Sequence, residues 1–456
     1  MKALRAAVSL LWIAVLAPVS VLAEGAGAEQ ETFTLYSGLS LIDGTGTPLQ
    51  AGMAILVKGD RIIKIGPSAE LTATMPEDTE QVDAGDWYAL PGLIDTHVHM
   101  ATMPNLPKAR ALMRRYIYSG ITSVRDMAGD MRALAELARE SRLQKIPAPD
   151  LYYSALMAGP SFFKDPRPGS AAEGEVAGQV PWMQAITSET NMTEAVTLAR
   201  GTWATGIKIY ANLPGEEVRR IASEAQLQGF KIWAHSMVFP ATPGEVVGAG
   251  VDVISHVCRL AWELADEKPA EYHHSVALPY GTLDPSDDRL KALYDRMKAQ
   301  GTILDATLWL YTHLEERRKN RPARKAGPAI CPPEFAAKLT AFAHAQGVEI
   351  STGTDVVLPA GAAYPALFDE LETLVGGAGL TPLEVIRAAT LNGARVVGLE
   401  HDRGTLEVGK RADILFVSQN PAEDIKNLRS VVLTVKGGKP YSRADYVPVT
   451  EEELTN

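Results

Sequence analysis

The sequence predicts an α/β protein: a distorted (β/α)₈ TIM barrel with a small composite β-sandwich domain built from both ends of the chain. Three observations predict it. The middle of the chain alternates short apolar, strand-like runs with helical stretches. Both ends are β-rich and punctuated by Gly-containing turns. Side chains able to carry chemistry sit at or near the ends of successive apolar runs, which is where parallel barrels hold their functional residues.

At 456 residues the chain exceeds one minimal domain. It suits one barrel of about 250–400 residues plus a smaller module. The apolar fraction of 46% and charged fraction of 22% are those of a globular protein. A net charge of −11 argues against a nucleic-acid partner, which would favour a basic face. A small-molecule substrate is the expected partner, and homo-oligomerisation is left open.

Residues 1–23 read as a signal peptide. Lys2 and Arg5 form a positive start, Leu10 to Val21 is apolar, and Val21-Leu22-Ala23 is a small-residue cleavage site. The apolar stretch is short for a membrane span, so no stable membrane association is expected after cleavage. The mature protein is expected to be exported, periplasmic or secreted. The two cysteines, Cys258 and Cys331, lack metal-site spacing. A disulfide and two free thiols both remain open for them.

Residues 32–90 contain the β-rich runs Phe33-Thr-Leu-Tyr, Ala54-Ile-Leu-Val and Arg61-Ile-Ile-Lys-Ile. Residues 404–445 repeat that character, and together the two segments are assigned to the sandwich. Residues 91–403 are assigned to the barrel. Its first strand leads into His97 and His99, and Ile121 to Asp126 is the second strand. A helix over Met131 to Arg142 is rich in Ala, Leu, Glu and Arg. The third strand is Leu151 to Ala155. Runs at 206–210, 231–236 and 253–256 carry Lys208, His235 and His256, at separations of 27 and 21 residues that each fit one βα unit. Thr302 to Ala306 is the seventh strand, and the run 350–355 ends on Asp355. Thr381 caps a helix with Pro382 in its first turn.

Positions two apart on a strand share a face, so both imidazoles of His97-Val98-His99 can reach one ion. Imidazole and carboxylate ligands with an open position describe a catalytic metal site. Lys208 is a poor ligand in its ordinary form, because a free lysine titrates near ~10.4 and carries a proton at neutral pH. Tyr210 follows Lys208 by two residues, shares its face and can donate to an oxyanion.

Taken in barrel order, His97, His99, Lys208, His235, His256 and Asp355 resemble the ligand set of the amidohydrolase superfamily. The likeness is to the binuclear subtype with a carboxylated lysine, among prolidase-like and imidazolonepropionase-related enzymes. That resemblance implies two divalent metal ions, zinc first among the choices. His97, His99 and Asp355 would hold the buried ion, and His235 and His256 the more exposed one. A CO₂-derived carbamate on Lys208 would bridge them. It also implies hydrolysis of C–N amide bonds in dipeptides or N-acyl amino acids by a metal-bridging hydroxide, with Asp355 as general base. A deaminase or a lactonase/phosphotriesterase-type hydrolase is the alternative activity. An inactive barrel acting as a binding module is the non-enzyme alternative.

Three long loops, 158–191, 258–290 and 307–334, are expected at the substrate entrance. Phe162, Phe163 and Trp182 in the first are expected to cover an apolar group. The second contains His273, His274 and Tyr280. The third contains Arg317, Arg318, Lys319, Arg321, Arg324 and Lys325, from which a carboxylate contact is expected.

Overall fold

The computed structural model describes residues 32–272, 277–320 and 331–455. Eight parallel strands form the barrel: β1 (Leu93–Val98), β2 (Ile121–Asp126), β3 (Asp150–Ala158), β4 (Gly206–Ile209), β5 (Lys231–His235), β6 (Val253–Ser255), β7 (Ile303–Asp305) and β8 (Ile350–Ser351). Each pairs with the next in sequence order. The ring closes where the Thr96 amide donates to the Thr352 carbonyl at 2.8 Å.

These strands are covered on both faces, which is why they read as apolar runs rather than as alternating patterns. All six residues of β2 are buried, including Arg125 and Asp126. The outer helices show the opposite pattern. Met131–Arg142 buries Met131, Leu134, Leu137 and Ala138 and leaves its charged face outside. Asp130 caps it by accepting from the Arg132 amide. Thr381 and Glu384 form a reciprocal capping box on Pro382–Arg387.

The chain ends combine in one mixed sheet. Phe33–Leu41, Gln50–Lys58, Arg61–Pro67, Glu80–Asp83 and Tyr88–Pro91 come from the first end; Ile414–Val417, Val431–Lys436 and Lys439–Ser442 come from the second. The join is antiparallel, with Ala89 opposite Phe416. Phe33–Leu41 pairs in parallel with Glu80–Asp83 along its first half and Tyr88–Pro91 at its end, and bulges interrupt its antiparallel ladder with Gln50–Lys58. The sheet has its own core, including Tyr36, Ile55, Ile62, Ile414, Phe416 and Val435. Buried charges tie it to the barrel: Arg403 lies 3.0 Å from Asp150 and 3.3 Å from Asp413, and Lys436 lies 2.8 Å from Asp150. Asp150 begins β3, so this joint is at the strand starts, opposite the end where β5 and β7 deliver His235 and Asp305.

The three segments expected as loops are more ordered than that, and 258–290 overlaps helical turns at Val257–Leu264 and Tyr280–Thr282. Within 158–191, short helical turns at Pro160–Lys164 and Pro166–Ser170 precede Gln179–Val180 and Met183–Ala185. The last of these pairs with β3 and widens the barrel sheet. Burial of Phe162, Trp182 and Met183 is the cause, since apolar side chains this large fold a segment back onto the core. Within 307–334, Leu308–Lys319 is a helix, and Arg317, Arg318 and Lys319 form its last turn. Cys258 and Cys331 are joined in a disulfide with Cα atoms 6.3 Å apart. Residues 1–23, His273, His274, Arg321, Arg324 and Lys325 lie outside the described residues. Among the described residues no helix is long and apolar enough to cross a membrane.

Candidate metal centre

The site is organised around a residue that sequence reasoning passed over. Asp305 ends β7 and is completely buried. Its Oδ2 accepts from Arg125 Nη2 at 2.9 Å and from Ser255 Oγ at 2.8 Å. The same oxygen lies 2.9 Å from His97 Nδ1. With the carboxylate as acceptor, Nδ1 carries the proton and Nε2 keeps its lone pair for the cavity. Arg125, also fully buried, donates through Nε to the Thr96 carbonyl and stacks 4.9 Å over Trp233. Burial lowers its guanidinium to about 10, against the opposing pull of Asp305. Arg125 therefore stays a cation at neutral pH.

The same kind of support recurs at two other imidazoles. His235 Nδ1 lies 2.8 Å from the Met237 carbonyl, which leaves Nε2 as the lone-pair nitrogen. His256 Nδ1 lies 3.0 Å from Thr307 Oγ1. Burial lowers the pKa of His97, and it takes His235 and His256 well below the ordinary imidazole value. Neutral imidazole is the form that ligates a metal.

Asp355 faces them. Its Oδ1 lies 3.2 Å from His99 Nε2 and 3.9 Å from His97 Nε2, and its Oδ2 lies 3.9 Å from His256 Nε2. Burial works to raise its carboxyl, but the neighbouring histidines outweigh that and hold it well below the carboxylate range. One ligand atom each from His97, His256 and Asp355 falls within 4.8 Å of the others. His97 Nε2 and His99 Nδ1 are buried without a hydrogen-bond partner. Buried polar atoms are ordinarily satisfied, so the orphaned His97 Nε2, within the cluster of His97, His256 and Asp355 ligand atoms, fits a site able to hold a cation.

Lys208, on β4, donates from Nζ to the Met127 carbonyl at 2.8 Å. Burial pushes its amine down to about 8, partly offset by Asp355. Tyr210 packs edge-on to Phe162 and His235, with ring centres 4.9 and 5.1 Å away. Burial raises its phenol, so it stays a neutral donor.

Local backbone shape aims these groups. His256, Thr307, Asp355 and Ala128 have φ of 75°, 47°, 52° and 95°. Such left-handed conformations cost about 1–3 kcal/mol each for non-glycine residues and persist where the surroundings enforce them. Hydrogen bonds do so here: the Asp355 amide donates to the His97 carbonyl at 2.8 Å, and the His256 amide to the Asp305 carbonyl at 3.0 Å. Gly353 is required between them, because a Cβ there would lie 2.1 Å from Asp305 Oδ1.

Two chambers open on this floor. The first, of about 280 Å³, is bounded by His97, His99, Lys208 and Asp355, with Leu156, Phe162 and Met183 as apolar wall. The second, of about 300 Å³, is lined by His235, Arg259, Tyr272, Tyr280 and Tyr311. Tyr210, Arg167, His256 and Asp355 border both. Of the first-loop aromatics, only Phe162 lines a chamber. Trp182 is packing: its Nε1 donates to the Ala171 carbonyl and Arg132 covers its ring. The described cations of the third loop do not supply the expected contact, because Arg318 and Lys319 pair with Glu315 on their own helix and Arg317 does not line either chamber. Among the described residues, the guanidinium groups that reach the site are Arg167 and Arg259. Arg259 follows His256 by three residues, and that proximity was the only sequence signal for it.

The fold and cavity are those of a barrel enzyme with a small-molecule site. The chain belongs to the amidohydrolase family, whose family model matches residues 88–441. Members of this family generally use divalent metal ions, and the prolidase-like relatives below agree with that placement. Ochratoxinase of Aspergillus niger is 27% identical over 481 aligned residues, covering 93% of this chain and 89% of the relative. Its crystal structure matches with a TM-score of 0.70 at 23% identity, over 91% of this chain and 96% of that one. A Xaa-Pro dipeptidase with methionine bound in its active site has the same fold, with a TM-score of 0.70 at 23% identity, covering 90% of this chain and 100% of that one. A 5-methylthioadenosine/S-adenosylhomocysteine deaminase of Moorella thermoacetica is 24% identical over 400 residues, 80% of each protein.

The Asp305 network generates a direct expectation. Asp305→Ala leaves Arg125 as an uncompensated buried cation, and breaking a buried pair from one side costs about 3–5 kcal/mol. Urea unfolding of the variant is expected to show a loss of that size, partly recovered in Asp305→Ala/Arg125→Met. Wild-type stability in the single variant would remove Asp305 from its central position.

Proposed function

We propose that this protein is an exported binuclear metallohydrolase that cleaves the amide bond of a small N-acyl amino acid or dipeptide. The observation that carries the reading is the convergence of His97, His256 and Asp355 ligand atoms beneath a chamber with one apolar wall. His97, His99 and Asp355 would hold one divalent ion, His235 and His256 a second, and a carbamate on Lys208 would lie between them. Bound ions of this kind, zinc first among them, supply Lewis-acid polarisation of a carbonyl and acidify water toward neutrality.

The chain's own residues do the rest. Anionic Asp355 accepts a proton from the attacking water as its oxygen bonds to the carbonyl carbon. It returns that proton to the departing nitrogen as the C–N bond breaks. The Tyr210 hydroxyl, kept neutral by burial, donates to the carbonyl oxygen as charge develops there. Leu156, Phe162 and Met183 cover the acyl group and exclude water. The signal-like segment 1–23 and the Cys258–Cys331 disulfide support export, since disulfides persist in oxidising compartments.

A hydrolysis screen of the metal-loaded protein over dipeptides, N-acyl amino acids, lactones and phosphotriesters tests the activity. Turnover is expected on the amides, and Asp355→Asn should lower it by at least ~10²-fold. Cleavage of neutral esters alone, or full turnover by Asp355→Asn, contradicts the reading.

Lys208 yields a pH expectation. Only the neutral amine attacks CO₂, and burial brings that form within reach by lowering the lysine to about 8. At fixed dissolved CO₂, the rate of isotopic label uptake by metal-free protein should climb as pH rises through about 8 and then level off. Magnetic resonance detects the carbamate carbon, and Lys208→Ala should remove its signal. An unlabelled wild-type protein, or a rate indifferent to pH, counts against the carbamate.

A further inference from the structure

The second chamber holds a charge that no carboxylate among the described residues neutralises. Arg259 is 8% exposed and makes no ion pair with any carboxylate among the described residues. Its Nη2 donates to the Tyr272 hydroxyl at 3.3 Å, and its guanidinium lies 5.1 Å over the Tyr272 ring. Its Nη1 is buried with no hydrogen-bond partner among the described residues. The other cation at the cavity, Arg167, is already neutralised by Asp165, with Nε and Nη2 at 3.0 and 2.9 Å from its two oxygens. Orphaned donors also occur on Arg115, Arg125 and Arg403, but those side chains line neither chamber, whereas Arg259 lines the second and can be satisfied there by an anion from outside.

The backbone fixes where that charge stands. The Arg259 amide donates to the His256 carbonyl at 3.0 Å. The Cys258 amide donates to the Tyr311 hydroxyl at 3.2 Å, and the Cys258–Cys331 disulfide holds the same turn. These contacts fix the main chain from which the side chain leaves, and the Tyr272 hydroxyl and ring hold the guanidinium itself. Its planar fork suits the two oxygens of a carboxylate better than a point charge would.

The chamber's position gives the substrate a direction. Leu156, Phe162 and Met183 lie on one side of His256 and Asp355, and Arg259, Tyr272 and Tyr280 on the other. We propose that Arg259 anchors the carboxylate of the amino-acid half of the substrate, the half that leaves with the nitrogen, while the acyl half occupies the apolar chamber. This inference rests on the amide-hydrolase reading above and assigns the specificity-determining contact within it.

The test is binding as well as turnover. N-benzoylglycine and N-benzoylglycinamide differ only in the terminal charge. Calorimetric titration into the metal-loaded wild-type protein should show the acid binding at least tenfold more tightly than the amide. In Arg259→Met that preference should vanish while affinity for the amide is unchanged, and Arg259→Lys should keep part of it. Where the acid is hydrolysed, Arg259→Met should raise KM for the acid at least tenfold with a smaller change in kcat. Arg259-dependent acid binding without hydrolysis of any amide would sustain the anchor and reject the hydrolase reading. Absence of acid preference in the wild type, its survival in Arg259→Met, or equal loss of acid and amide binding in both variants would each overturn the proposal.

Discussion

Asp305 and Arg125 form an ion pair with no exposure to water, and the floor of the barrel is arranged around it. Two desolvated charges repay their burial to the extent that the remaining hydrogen-bonding capacity is filled, and of the Arg125 donors only Nη1 lacks a partner among the described residues. Here His97 Nδ1, Ser255 Oγ and Arg125 Nη2 converge on one oxygen, while Arg125 also reaches the Thr96 carbonyl. These contacts join β1, β2, β6 and β7 through one carboxylate. The imidazole of His97 is thereby fixed in both tautomer and direction. An imidazole held this way keeps Nε2 aimed at the cavity.

That constraint explains several local features that would otherwise be liabilities. Gly353 is needed because Asp305 and His97 occupy the space of a Cβ. Left-handed residues cluster at His256, Thr307 and Asp355, where the chain turns sharply at the strand ends to point side chains into the cavity. The composite sheet is joined to the barrel by a separate group of buried charges, Arg403, Asp150, Asp413 and Lys436, at the starts of the strands. The two networks divide the work. One joins the composite sheet to the barrel, and the other fixes the strand-end floor, while Phe162, Arg259 and the tyrosines line the chambers above it.

Much of this was legible in the sequence because period and position carry it. The barrel strands are buried runs, the helix Met131–Arg142 has the bounds its composition suggests, and the Thr381 cap is where the turn chemistry puts it. His97, His99, Lys208, His235, His256 and Asp355 were selected by their places at strand ends, and the structure brings them around one cavity floor. Asp305 lies within the strand read over Thr302 to Ala306, where nothing local sets it apart from any other strand carboxylate. Its meaning depends on His97, 208 residues earlier, and Arg125, 180 residues earlier, and neither separation leaves a local pattern. Arg259 was hidden for a related reason. Whether a cation is free or neutralised is decided by its neighbours in space, and the exposed-looking arginines at 317–319 drew attention because they cluster in sequence. The segment 158–191 was misread because Gly and Pro signal turns, while the burial of Phe162 and Met183 that folds it against β3 is a tertiary effect.

The central claim is that this oriented, mostly neutral ligand set binds two divalent ions between Asp355 and the histidines. Anomalous diffraction from crystals of the zinc-loaded protein tests it most directly. The account predicts two peaks per chain, one contacted by His97, His99 and Asp355 and the other by His235 and His256, with extra density joining Lys208 Nζ to both. No peak at the cavity floor, or an ion held away from His97 Nε2, would contradict it.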